Sequence, residues 1–228
     1  MSAIMKSLIF PTIRNFLIGV VALGVVTFLP AGTLDYGQGW VFIVIFVGLA
    51  TLSGVYYSIH DPALLERRKP AIRAANTPGQ RLTLVYVYLC ELGILVLSGL
   101  DRRFGWSQMP VLVSVIGEAL VVLANAIWLV SKRENSFAGA GILIYEGHKC
   151  ITTGPYALVR HPNYAGDLLL VIGAPLALGS WWALIFFVLL IPAMLWMIFE
   201  EEAFLKKNLP GYLEYTQKVY YRLVPGLW

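Results

Sequence analysis

The sequence predicts an all-α integral membrane protein, with about four single-span helices followed by a C-terminal helical hairpin and a polar tail on the cytoplasmic side. Three observations carry this. The 228 residues are 58% hydrophobic and only 13% charged, against roughly 25% charged in soluble domains. The apolar residues fall in long uncharged runs, of the ~20 residues that a helix needs to cross a hydrocarbon core about 30 Å thick. The basic residues gather in alternate links between those runs.

The first four spans are placed at Ile13 to Leu29, Gly39 to Ser58, Leu82 to Leu100 and Pro110 to Val130. The first run lacks a small-residue cleavage site after it, so it reads as a retained helix rather than a signal peptide. The fifth region differs. From Ala165 to Phe199 the only ionisable residue is Asp167, and these 35 residues, at about 1.5 Å each, are too long for one span and tight for two. Gly179-Ser180 divides them, which predicts a helical hairpin that turns there and returns to the side it entered from.

Orientation follows from lysine and arginine. Lys6 and Arg14 precede the first span, and Arg67, Arg68, Lys69, Arg73 and Arg81 lie between the second and third. Lys132, Arg133, Lys149 and Arg160 follow the fourth span, and Lys206, Lys207, Lys218 and Arg222 follow the hairpin. The link between the first two spans holds Asp35 and no basic residue. Only Arg102 and Arg103 stand on that side, so 15 of the 17 basic residues lie opposite, where short basic links remain cytoplasmic. The net charge of +4 is therefore accounted for by anionic lipid headgroups and calls for no nucleic-acid partner.

Two cysteines, Cys90 and Cys150, give no CxxC and no disulfide framework. His60, His148 and His161 are scattered without an H-x-x-x-H pair, so no metal is expected. Gly139-Ala140-Gly141 has Ile144 where a dinucleotide loop needs its third glycine, and no strand and helix alternation surrounds it.

The chemistry is expected where polar residues crowd the membrane boundary. Thr153-Gly-Pro-Tyr-Ala-Leu-Val-Arg-His-Pro-Asn-Tyr-Ala-Gly166 is such a stretch. Gly154-Pro155 sets a turn, Arg160 and His161 offer cationic or hydrogen-bonding groups, and Pro162 suits the first turn of the hairpin's leading helix. An ordinary interfacial loop with snorkelling Arg and Tyr has the same composition. Glu200, Glu201 and Glu202 close the hairpin. They suit either a solvated helix end or a carboxylate that accepts hydrogen bonds from ribose hydroxyls or faces a cationic ligand. Inside the spans, Glu91, Glu118 and Asn125 are functional candidates by their cost in a bilayer. Glu118 and Asn125 are seven apart and share a face, and interhelical hydrogen bonding is the packing alternative, favoured for Asn125.

The spacing of Gly154, Tyr156, Arg160-His161-Pro162, Tyr164 and Gly166, followed by Glu201-Glu202, resembles the isoprenylcysteine carboxyl methyltransferase and phospholipid methyltransferase families. The resemblance runs from Arg133-Glu134-Asn135-Ser136-Phe137 to Tyr221-Arg222-Leu223-Val224-Pro225; the N-terminal half is similar to bacterial members only loosely. It implies a division into N-terminal transmembrane helices (1–131) and a methyltransferase core (132–228) with a cofactor-binding tail. In these families the Arg-His-Pro segment and the Glu pair bind S-adenosylmethionine at the cytoplasmic membrane face, and the acceptor arrives from the bilayer. The resemblance thus implies cofactor contacts from Gly154, Tyr156, His161, Pro162, Tyr164, Glu201 and Glu202, with Arg160 and Glu201 catalytic. It implies methyl transfer to a lipophilic or small-molecule acceptor (carboxylate, thiol or amine), in the bacterial inner membrane. One departure bears on the acceptor: related sequences often carry Arg in the last turn before the Glu pair, where Met197 and its neighbours stand here.

Methyl transfer from a sulfonium needs an acceptor atom held close, aligned and partly dehydrated. A carboxylate or thiolate acceptor needs no base, whereas an amine or thiol must lose a proton, for which His161 or a Glu is available. Arg160 to Asp167 also resembles the signature of NADPH-dependent membrane sterol and steroid reductases, with Asn163 and Asp167 in its favour. The short chain, the Thr-Gly-Pro-Tyr lead-in and a Glu pair beside a polyphosphate weigh against it. A membrane scaffold or transporter is the non-enzyme alternative, without the repeated halves or broken helices of transporters. The segment from Tyr212 to Trp228, rich in Tyr with Lys218 and Arg222, is expected to lie along the interface as a cover for the pocket.

Overall fold

The computed structural model describes residues 3–67, 77–137, 144 and 147–228, with the side chains of 3–10, 66 and 67 left aside. Arg68, Lys69, Arg73 and Gly139-Ala140-Gly141 lie outside the described residues, as do the side chains of Lys6 and Arg67. The helices are α1 (Ala3–Ala31), α2 (Gly37–His60), α3 (Pro62–Arg67), α4 (Pro78–Phe104), α5 (Val111–Glu134), α6 (Pro162–Ala177), α7 (Ile185–Asn208) and α8 (Tyr212–Lys218), with 3₁₀ turns at Gly154–Ala157 and Trp182–Leu184. Among the described residues, five segments are long and apolar enough to span a membrane: Pro11–Ala31, Gly37–His60, Pro78–Phe104, Val111–Glu134 and Trp182–Asn208. The protein is an all-α integral membrane protein with several spans. Exposed Leu29, Leu52, Leu82 and Val111 on these helices are the outward apolar surface that lipid requires.

The first three expected spans lie inside observed helices, and the fourth starts one residue early, since Pro110 caps the helix that begins at Val111; the helices otherwise run further at their polar ends. Local chemistry sets the limits. Thr77 accepts the amide of Gln80 at 3.1 Å with Pro78 in the first turn, and Gly105 closes α4 with a φ of +65°. The hairpin turns where expected: Gly179 has a φ of +74°, and the amide of Ser180 donates to the Pro175 carbonyl at 2.9 Å.

The two limbs of this hairpin pack mostly on other helices. α6 lies antiparallel along α5, and α7 leans on α4. Small residues permit the α5–α6 approach: a Cβ on Gly117 would sit 2.2 Å from the Ala177 amide nitrogen, and one on Gly173 would sit 3.0 Å from the Gly117 carbonyl oxygen. Tyrosine hydroxyls tie the bundle together, with Tyr36 donating to the Leu178 carbonyl at 2.5 Å, Tyr57 to that of Leu129 at 2.6 Å and Tyr86 to that of Leu189 at 2.9 Å. Asn125 donates to Val121 of its own helix at 2.9 Å, so its amide bond is intrahelical where an interhelical one was expected. Both carboxyl oxygens of Glu118 are buried without a partner.

The two ends of the bundle differ chemically. At one, buried Asp101 accepts from the Ser107 amide and hydroxyl at 2.7 and 2.6 Å and from the Ser180 hydroxyl at 2.5 Å, which fixes the hairpin turn to the end of α4. Arg102 reaches Asp35 at the same end. At the opposite end lie Arg160, His161, Glu202, Lys206 and Arg222.

Candidate active site

The Arg-His-Pro segment enters this end as the chain turns from the 3₁₀ turn into α6. Gly154 takes a φ of +57°, and a Cβ there would meet the Glu134 carboxylate at 3.1 Å; the Thr153 hydroxyl donates to that carboxylate. Gly154 therefore seats the loop on the end of α5, where any side chain would push it away. His161 is the residue before the first turn of α6 and Pro162 occupies that turn, where its missing amide hydrogen costs nothing.

The C-terminal segment lies alongside. The amide of Arg160 donates to the Tyr221 carbonyl at 2.9 Å, and that of His161 to the Arg222 carbonyl at 2.9 Å. The Trp228 carbonyl accepts from the amides of Arg222, Leu223 and Val224 at 2.9, 3.0 and 3.2 Å, so the segment folds back on itself. Beneath it, Tyr156, Leu209, Tyr212, Tyr215 and Val219 form a small apolar core separate from that of the bundle. The Tyr215 hydroxyl donates to the Tyr156 carbonyl at 2.6 Å, and the Asn163 amide reaches the Tyr156 hydroxyl at 3.5 Å. Burial pushes the Tyr212 and Tyr215 hydroxyls well above their ordinary range, with Glu202 and Glu201 adding to the effect at Tyr212. Both remain donors at any physiological pH.

The two glutamates of the pair have different fates. Glu202 is 2% exposed and surrounded by nitrogen groups: the cations Arg160 (Nη1 at 3.3 Å), Arg222 (Nε at 3.1 Å and Nη2 at 3.3 Å) and Lys206 (Nζ at 3.5 Å), and the His161 ring, with Nε2 at 3.4 Å. Glu201, whose side chain is 29% exposed, approaches His161 Nδ1 at 3.9 Å and lies beside Tyr164. His161 is thus held within hydrogen-bond range of a carboxylate at Nε2, with a second carboxylate farther off near Nδ1, and its ring meets Tyr164 edge-on, 5.7 Å between centroids. Arg160 and His161 are 8% and 4% exposed. Arg160 Nε, Asn163 Oδ1 and the Tyr212 hydroxyl are buried with no protein partner.

The fold brings Arg160, His161, Glu201 and Glu202 together with Tyr164, while Gly154 and Pro162 shape the loop and Tyr156 belongs to the core under it. Arg222, Tyr212, Asn163 and Glu134 also belong to this place. Their signals in the sequence were faint: the three-residue spacing of Tyr212 and Tyr215, and a basic residue in an aromatic tail.

Residues 112–210 match the sequence pattern of the phospholipid methyltransferase family. Two relatives, from Oryza sativa subsp. indica and subsp. japonica, are both named "Probable protein-S-isoprenylcysteine O-methyltransferase"; each is 34% identical over 117 residues, covering 47% of this chain. The aligned part spans 59% of the length of each relative. The family segment includes the Arg-His-Pro loop and the Glu pair and stops before α8, so Arg222 and the segment around it lie beyond the family match.

Proposed function

We propose that this protein is a membrane methyltransferase that uses S-adenosylmethionine and transfers the methyl group to a lipophilic or small acceptor at the cytoplasmic membrane face, in the bacterial inner membrane. In this reading residues 132–228 form the methyltransferase core and 1–131 the helices that seat it. The observation that carries the proposal is the meeting of Arg160, His161, Glu201 and Tyr164 at one end of the bundle, together with three buried polar groups that lack protein partners.

Those three groups fit the cofactor. Arg160 Nε is a charged donor suited to a carboxylate, Asn163 Oδ1 an acceptor for an ammonium or hydroxyl, and the Tyr212 hydroxyl a donor. An unpartnered buried polar atom costs about 1–3 kcal/mol, which a polar ligand would recover. Arg160, His161, Tyr164 and Glu201 would hold the cofactor, Gly154, Tyr156 and Pro162 would shape its loop, and Glu202 would stand behind them as their shared counter-ion. When bound, the cofactor supplies an electrophilic methyl on a sulfonium. The chain orients the partners and excludes water with the 219–228 segment. Where the acceptor carries a proton, Glu201 Oε2 or His161 is placed to take it; a carboxylate acceptor requires neither. The basic residues on this side of the spans support its cytoplasmic placement.

The test is calorimetric binding of S-adenosylhomocysteine, and separately of NADPH, to detergent-purified protein. Micromolar binding of the homocysteine compound that His161→Ala and Glu201→Gln both weaken is the expected result. Binding of NADPH alone would overturn it in favour of a reductase, and binding of neither would favour a scaffold.

A further inference from the structure

We propose that Arg222 is a positioning residue of this site: acting through Glu202, it holds Arg160 and His161 in place and latches the 219–228 segment over them. The ligand's identity rests on the methyltransferase reading above, while the latch rests on geometry alone.

The contacts form a chain of dependence. Arg160 is fixed by Nη1 on Glu202 at 3.3 Å and by Nη2 on the Tyr220 carbonyl at 3.4 Å, which leaves Nε without a protein partner. The direction of Nε therefore follows the position of Glu202. Glu202 is in turn gripped by both arms of the Arg222 fork, at 3.1 and 3.3 Å, a two-point contact that only a planar guanidinium can make. Lys206 is a weaker substitute, because it meets the carboxylate at one point and its side chain is 41% exposed. The guanidinium is itself held against the rings of Phe199 and Trp228, 5.4 and 5.0 Å from their centroids. The same residue accepts the His161 amide through its backbone. Arg222 thus grips the motif by main chain and by side chain at once, and Trp228 closes over it because the segment folds back on its own amides.

Binding of S-adenosylhomocysteine should be measured for wild type, Arg222→Ala, Arg222→Lys, Glu202→Gln and the Arg222→Ala/Glu202→Gln double variant. Amide hydrogen exchange of 158–163 should be followed in the same unliganded samples. Both Arg222 variants are expected to weaken binding about tenfold or more, with Lys failing to rescue because it lacks the fork. The double variant should be no weaker than the worse single one, because both changes break one contact. Losses that multiply, or an Arg222→Lys that binds like wild type, would overturn the proposal; Arg222→Lys also serves where the alanine variant does not fold. A wild type that binds no homocysteine compound removes the methyltransferase reading, and hydrogen exchange then decides the latch. Faster exchange at 158–163 in Arg222→Lys and Glu202→Gln, and no faster in the double variant, supports it. Unchanged exchange overturns it.

Discussion

Glu201 and Glu202 are adjacent in the sequence, yet one helix step of about 100° sends them to different surroundings. Glu202 enters a ring of cations and Glu201 keeps a partly open face. Replacing Glu202 with Ala leaves Arg160 and Arg222 facing each other unneutralised, and loss of one partner from a buried ion cluster costs roughly 3–5 kcal/mol. The expected outcome is a clear fall in the unfolding midpoint in detergent, whereas Glu201→Gln leaves that midpoint nearly unchanged and weakens ligand binding. Gly154 offers a second test. An alanine there must hold a positive φ and crowd the Glu134 carboxylate, at a cost of about 1–2 kcal/mol, read as a lower unfolding midpoint. Gly37 and Gly48 have open space around a would-be Cβ, and alanine at Gly48, inside α2, is expected to be neutral or stabilising by up to about 1 kcal/mol.

At the scale of helices, the α5–α6 pair carries the site, because α5 ends at Glu134 beneath the Gly154 loop and α6 begins immediately after His161. Their separation is set by Gly117, Gly166 and Gly173, each opposite backbone or a bulky ring. In lipid there is no hydrophobic drive to pair helices, so close packing must supply the association. Gly117→Leu drives a side chain into the Ala177 and Leu176 backbone and is expected to cost at least the roughly 1–3 kcal/mol of overpacking, with loss of ligand binding in whatever fraction stays folded. An unchanged unfolding midpoint for Gly117→Leu would contradict this packing. Asp167 shows the same coupling in side chains: it accepts the Trp128 indole N–H at 2.9 Å, tying the start of α6 to the end of α5.

For the whole molecule, the opposition of the Asp101 end and the Glu202 end predicts topology. Single cysteines at the exposed positions of Gln108 and Lys218, in a background lacking Cys90 and Cys150, are expected to react with a membrane-impermeant thiol reagent from opposite sides. The position of Lys218 should become reactive only after permeabilisation. Labelling of both from one side would remove the proposed orientation. Deleting 219–228 removes the carbonyls that accept the Arg160 and His161 amides and is expected to abolish ligand binding while the spanning helices still insert; retained binding would contradict the covering role of the segment.

The sequence by itself determined the membrane class, the spans and the turn at Gly179-Ser180, because hydrocarbon thickness and the burial of backbone polar groups act on local composition. It also marked the Arg160-His161-Pro162 segment and the Glu pair as a place where polar groups concentrate beside the bilayer. The tertiary structure alone decided which helix each limb of the hairpin leans on, since glycine contacts such as Gly117 with Ala177 depend on the relative rotation of two helices. It alone decided that Glu202 is enclosed and Glu201 open. Arg222 lies 20 residues from Glu202 and beyond the family segment, and nothing periodic links the two in the sequence. Their meeting is made by α8 and the fold-back of 219–228, a long-range placement that local pattern does not encode.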